Sequence, residues 1–264
     1  EKNITLLVYY GYPEQLIPEI VAKYQIDSIY VQNEWTQEEV DVENKVRNLI
    51  PAVSWKTYYD QFLFHPDDVP YENWGEIPEV FTEFRKQLEK KIRVRPIVAI
   101  SAKPISNLIE EKTTIPTLED LGFDSEALDF KQPNKTAFPF KGGENQAKKR
   151  IKDYFWDTKK LAVYKKTRNG LVGKDYSSKL SAWLANGSIS ARMIYWEVQQ
   201  FEKKVVKNED TYWLIFELIW REYFKFISLK HGNKIFQLNG ILQKEYHWNQ
   251  NTKAFNQWTN GTTP

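Results

Sequence analysis

The segment TYWLIFELIWREYFKFISLKH (Thr211–His231) holds the side chains of this chain best suited to chemistry. Trp213, Glu217, Trp220, Arg221 and Phe224 recur at steps of three and four residues, so a helix would gather them on one face. Almost everything else in the segment is apolar, which predicts a buried helix. A carboxylate and a guanidinium four residues apart in such surroundings must be paired or must serve a ligand, because unpaired burial is costly. Two readings stay open here: a structural Glu217–Arg221 ion pair in an aromatic core, or a pocket with a flat aromatic wall and a polar handle.

A second candidate is TRNGLVGKDYSSKLS (Thr167–Ser181), followed by AWLANGSISAR. Its two glycines predict a turn, after which the serines lead into a helix. Backbone N–H groups and hydroxyls at a helix N-terminus attract anions, and Lys179 adds charge. The plainer alternative is that the serines only cap the helix. Between Lys141 and Lys179 stand twelve Lys/Arg against Glu144, Asp153, Asp157 and Asp175, a local balance of 12 − 4 = +8 in a chain of net charge +2. Such a stretch suits phosphates or a solvated lysine face.

Composition excludes several chemistries. With no cysteine there is no disulfide, thiolate metal site or cysteine nucleophile. His65, His231 and His247 are too dispersed for a zinc site, so no metal is expected. No apolar run is long enough to cross a bilayer and no signal peptide is visible, so an intracellular, cytoplasmic protein is the default expectation. The aromatic share of 15% suits dense flat-sided packing or flat ligands.

The elements that must position these residues fall into two styles. Ile4–Tyr10, Ser28–Gln32 and Val53–Tyr59 read as strands, separated by helices at Pro13–Tyr24 and Gln37–Ile50, which implies a parallel sheet. No glycine-rich phosphate loop follows them. From Arg93 to Lys141 five prolines (Pro96, Pro104, Pro116, Pro133, Pro139) break the pattern, predicting a connector with a short helix near Leu118–Leu121. Helices are predicted at Glu144–Trp156, Tyr176–Ala185, Ala191–Val206 with Ser190 as N-cap, and Thr211–Leu229.

Three segments together resemble the DASH branch of the cryptochrome/photolyase family: AFPFKGGE (Ala137–Glu144), the stretch from Tyr164 through KKTRNGLVGKDYSSKLSAWLANGSISAR to Arg192, and TYWLIFELIWREYFKF (Thr211–Phe226). The resemblance implies an α/β N-terminal domain with a parallel sheet over 1–95, a connector over 96–143, and an all-α FAD-binding domain over 144–264. It implies that Tyr164, Ser177, Ser178, Lys179, Leu180, Ser181 and Arg221 bind FAD. It further implies that Glu217 bonds the bases of a pyrimidine dimer, that Trp220 packs against the flipped lesion, and that Trp248 is the outer member of an electron relay, with Trp258 nearby. The implied activity is light-driven repair of cyclobutane pyrimidine dimers, in single-stranded or looped DNA, by a monomer. The alternative is a blue-light receptor or nucleic-acid-binding flavoprotein without repair. A methenyltetrahydrofolate antenna is compatible with the family near Gln37–Glu39, with no residue assigned.

Measured against the family, the sheet is expected to lack its first strand and the FAD domain its second half. A chain of this extent is therefore expected to bind FAD weakly or not at all and not to repair. Ala182 and Ala191 also stand where the family commonly has proline.

Overall fold

The computed structural model describes residues 4–99, 108–124 and 136–264. Part of the expected connector, including Pro104 and Pro133, lies outside the described residues. Helix α1 (Pro13–Tyr24) starts with proline in its first turn, where no N–H is needed. It leads through β1 (Ser28–Gln32) and α2 (Gln37–Leu49) to β2 (Ser54–Tyr58). The strands pair in parallel, Ser28 opposite Ser54 and Gln32 opposite Tyr58, as the strand–helix–strand pattern requires. The Arg47 guanidinium lies 4.3 Å over the Trp55 ring and ties α2 to the sheet.

Ile4–Tyr10 is not a strand. A strand exists only where a ladder partner takes its backbone groups, and these residues bond hydroxyls instead. The Val8 N–H donates to Thr113 Oγ1 at 2.6 Å, and Thr5 Oγ1 donates to Ile109 O at 2.9 Å. Ile4 and Leu6 are exposed. Near Leu118 there are overlapping hydrogen-bonded turns over Thr117–Phe123 rather than a helix; the Asp120 carboxylate accepts from both the Thr117 N–H and its hydroxyl.

Three helices carry no sequence expectation: one in the first half, and two short ones at Tyr164–Thr167 and Thr252–Thr259. In α3 (Phe81–Lys91) the side chains of Phe81, Phe84 and Leu88 are buried. Together with Phe62, Leu63 and Phe64 they share one core with residues of the helical half, including Tyr154, Phe201, Leu214 and Phe226.

In the helical half, α4 (Glu144–Ile151) continues as widened turns over Lys152–Asp157, closed by Thr158 N–H to Asp153 O at 2.9 Å. Short α5 (Tyr164–Thr167) and α6 (Ser181–Ala185) follow. The helix expected from Tyr176 starts only at Ser181, because Lys179 turns left-handed at φ 61° and interrupts helical geometry. Helix α7 (Ala191–Lys204) is capped by the Ser190 hydroxyl, which accepts from Met193 N–H. Helix α8 (Glu209–His231) opens on a reciprocal cap between Asn208 and Thr211, and α9 (Thr252–Thr259) is the last helix among the described residues.

Helix α8 joins the two halves through charge. Glu222 is wholly buried; its carboxylate accepts from Leu63 N–H at 2.7 Å and from Arg221 at 2.8 Å. Arg221 also donates to Gln61 O at 3.1 Å, and the Lys225 ammonium bonds the Gln61 side chain while lying 5.2 Å over the Trp35 and Phe62 rings. Burial pushes the Glu222 carboxyl up to about 7, against the pull of Arg221 and the Leu63 N–H. The folded state therefore holds a proton on Glu222 that the unfolded chain has released, so Glu222's contribution to stability falls as pH rises from about 4.5 to about 7. Urea unfolding across that window is expected to show this slope in the wild type and its loss in Glu222→Gln. Glu222→Ala, which strands the Leu63 N–H and the Arg221 guanidinium, should cost about 3 kcal/mol.

Candidate functional site

The cavity in the helical half is built from four pieces of chain: α5, the 177–185 segment, the first turn of α7, and the middle of α8. It encloses about 590 Å³ and is lined by Tyr164, Ser177, Ser178, Lys179, Leu180, Ser181, Glu217 and Arg221, over an apolar floor of Leu184, Ile194, Leu214 and Leu218. That volume falls within the range of small-molecule pockets, about 300–1,000 Å³. Seven residues expected to hold a cofactor thus meet Glu217 at one place.

A residue that sequence reasoning passed over shapes this wall. Arg150 of α4 is 2% exposed. Its guanidinium lies between the Phe140 and Tyr154 rings at 4.8 and 4.7 Å. It donates to three backbone carbonyls, Lys174 O at 2.8 Å, Ser177 O at 3.1 Å and Ser178 O at 3.1 Å. It also pairs with Asp153 at 2.7 Å and Asp175 at 3.2 Å. Burial opposes ionisation of Asp175, but Lys160 and Arg150 outweigh it and hold that carboxyl below the usual range. Across a planar trans peptide the C=O and the next N–H point oppositely. Drawing the Ser177 and Ser178 carbonyls to Arg150 therefore turns the N–H groups of Ser178 and Lys179 away from it. Neither N–H has a partner among the described hydrogen bonds, so two adjacent donors sit free at residues that line the cavity. Successive free N–H groups of this kind form an anion-binding nest.

The structural Glu217–Arg221 pair, one of the two readings left open by the spacing, does not form. Glu217 pairs with Arg168 at the end of α5, at 2.7 Å, and Arg221 pairs with Glu222. Both still line the cavity, because the four-residue spacing puts them on one face while tertiary partners take their charges. Burial pushes the Tyr164 phenol up, so it remains a neutral hydrogen-bonding group.

One aromatic residue expected at the cavity stands elsewhere. Trp220 is not on the cavity wall; its indole stacks on Phe81 of α3 at 3.5 Å and 9° between planes. It lies on the stripe of α8 that faces α3, a helix outside the sequence-based expectations. Trp248, expected at the outer end of an electron relay and not on the cavity wall, is 62% exposed beside Tyr246. Trp258 is also exposed.

Comparison with known proteins places the arrangement. A family model described as DNA photolyase matches residues 1–104. The chain is 42% identical to Cryptochrome DASH of Danio rerio, over 98% of this chain and 50% of that protein. The structure of the Synechocystis sp. PCC6803 cryptochrome superposes with a TM-score of 0.88 at 41% identity, covering 98% of this chain and 53% of that one. The archaeal photolyase of Sulfolobus tokodaii, described with two FAD molecules, is alike in fold at TM-score 0.61 and 19% identity, over 96% of this chain and 50% of that one. The chain spans about half the length of the relatives it matches.

Replacing Arg150 by leucine tests the wall. Three inward carbonyls would lose their donor, and tryptic cleavage after Lys174 and Lys179 is expected to speed up at least tenfold, about 1.4 kcal/mol or more in local opening, while amide hydrogen exchange in α8 keeps its protection.

Proposed function

Because the chain belongs to the cryptochrome/photolyase family, we propose that its cavity forms part of an FAD site, weak in this half-length stretch taken alone, and that the protein is a DASH-type, light-driven enzyme for cyclobutane pyrimidine dimers. The substrate in this reading is single-stranded or looped DNA, bound by a monomer in the cytoplasm. The observation that carries the reading is the meeting of Tyr164, Ser177–Ser181, Glu217 and Arg221 around one cavity, from separate segments of the chain.

The residues present fit the group. A dinucleotide's diphosphate needs donors that are not already spent, and the Ser178 and Lys179 N–H groups, with the neighbouring serine hydroxyls, supply them. Lys179 and Arg221 bring positive charge to the same wall, and Leu180, Leu184, Ile194, Leu214 and Leu218 provide a surface for a flat ring. Bound flavin would supply light absorption and the one-electron chemistry that opens a cyclobutane ring. The chain's own part is binding, orientation and exclusion of water. Glu217, held by Arg168, presents a carboxylate oxygen to the N–H groups of a base that enters the cavity. A base stacked in a duplex cannot reach such a recess, so it must be turned out of the strand. Strands that are already unpaired ask less of the protein, which is why we favour them as substrate.

A blue-light receptor without repair is the second reading, and Trp220 favours it: an indole stacked on Phe81 is not free to pack against a lesion. The proposal does not extend to a folate antenna. The groove bordered by Glu34, Glu38, Glu39 and Glu43 encloses about 400 Å³ and would set carboxylates against an anionic tail. No helix among the described residues is long and apolar enough to cross a membrane.

Titrating FAD and a thymine-dimer oligonucleotide into the chain separates these roles. Lys179→Glu is expected to weaken FAD binding at least about tenfold, as the loss of a charge-assisted bond implies. Glu217→Ala should weaken dimer binding by about tenfold or more and leave FAD affinity within about twofold. FAD affinity indifferent to Lys179→Glu would remove the phosphate cradle, and dimer affinity indifferent to Glu217→Ala would leave that carboxylate a structural partner of Arg168.

A further inference from the structure

The loop between α5 and the cavity wall, residues 169–176, carries its most apolar side chains at its tip. Leu171 is 87% exposed and Val172 67%. Single exposed apolar residues are ordinary, but these two adjoin each other at the apex of a loop that is held firmly. At one end the Gly170 N–H donates to Thr167 O at 2.9 Å. Gly170 also lies against the Tyr176 ring, where a Cβ would come within 2.3 Å of it, so glycine is required. At the other end the buried Arg150 clamps the Lys174, Ser177 and Ser178 carbonyls. Behind the tip a recess of about 570 Å³, lined by Val163, Thr167, Val172 and Tyr176 among others, separates it from the body of the protein. The tip stands off the surface on a braced stem.

Its surroundings are cationic. Among the described residues no carboxylate pairs with Lys166 or Lys174, on either side of the tip, and both are exposed. The loop also starts and ends at the cavity: Arg168 is bonded to Glu217, and Ser177 is part of the wall. Three residues span at most about 10 Å, so Leu171 lies within that distance of the Arg168 backbone. An apolar point between unpaired cations is complementary to a polyanion with an apolar interior, which describes stacked bases between phosphate strands.

We propose that Leu171 and Val172 form a wedge that enters a base step beside the cavity and fills the gap left when a dimer is turned out of a duplex. This rests on the DNA reading above and adds a positioning element to it. Lys166 and Lys174 hold the flanking phosphates, and the brace from Arg150 keeps the tip from folding back when it meets the stack. The wedge contributes where strands are paired, since an unpaired strand leaves no stack to hold open.

The test uses the full chain, with one cis-syn thymine dimer in a single strand and in a duplex carrying 2-aminopurine opposite the lesion. Leu171→Ser with Val172→Ser, both at exposed sites, should leave the thermal unfolding midpoint unchanged. The double variant is expected to lose about tenfold or more in duplex affinity together with the 2-aminopurine fluorescence rise. Its single-strand affinity should stay within about twofold, and Leu171→Phe should keep both signals. Unchanged duplex affinity and fluorescence in the double variant would overturn the wedge. So would an equal loss on both substrates. If the wild type does not prefer the dimer over undamaged strands, the DNA-lesion reading fails and the wedge with it; a wild-type preference that the double variant retains in full sinks the wedge alone.

Discussion

The ion pair between Arg221 and Glu222 is made where one partner is wholly enclosed, and that enclosure ties the cavity to the rest of the fold. A carboxylate removed from water needs donors on both oxygens. One comes from Arg221 and the other from the Leu63 amide, in the segment that follows β2. The same guanidinium then reaches the Gln61 carbonyl, which fixes its direction along α8. Arg221 is therefore positioned on the cavity wall by residues more than 150 positions away in the chain. A shift of the 61–64 segment would move the charge that the cavity presents.

A second enclosed cation does for the loop what the first does for the junction. Arg150 fills its donors with three carbonyls and two carboxylates, and its flat faces pack on aromatic rings. Lysine would not serve here, because a point charge with three donors cannot address so many acceptors in one plane. The consequence is directional: with their carbonyls committed inward, the 178 and 179 peptides present N–H groups on the opposite side. The left-handed turn at Lys179 continues the change of direction and delays α6 until Ser181. Polarity at the wall thus arises from backbone orientation as much as from serine hydroxyls.

Much of this was legible from spacing alone. The three- and four-residue steps in α8 correctly put Glu217 and Arg221 on one face, and the polarity of Ser190 marked the start of α7. Spacing could not say which charges pair, because an i,i+4 geometry competes with partners brought by the fold, here Arg168 and Glu222. Arg150 was hidden among lysines, yet it shares a helical stripe with Ala147, Ile151 and Tyr154, all buried, and that stripe was the available signal. Helix α3 could have been read in the same way from Phe81, Phe84 and Leu88. Missing it had a cost, since Phe81 is what draws Trp220 away from the cavity. Ile4–Tyr10 shows the opposite limit: an apolar run suggests a strand, but only a partner makes one.

The charge reading is sharpened by the same logic. Of the twelve cations between Lys141 and Lys179, six are spent on carboxylates: Lys148, Arg150, Lys152, Lys160, Lys165 and Arg168. Among the described residues, Lys166, Lys174 and Lys179 are left unpaired around the 169–176 loop, with Lys141, Lys149 and Lys159 further along the chain from it. Fields from exposed charges fade over about 8 Å at physiological salt, so distant lysines add little at the cavity. What a phosphate strand meets there is set by those nearby side chains and not by the sum over the segment. The stretch that looked in sequence like a broad basic face is, once folded, a local cationic rim around an apolar tip and a cavity mouth.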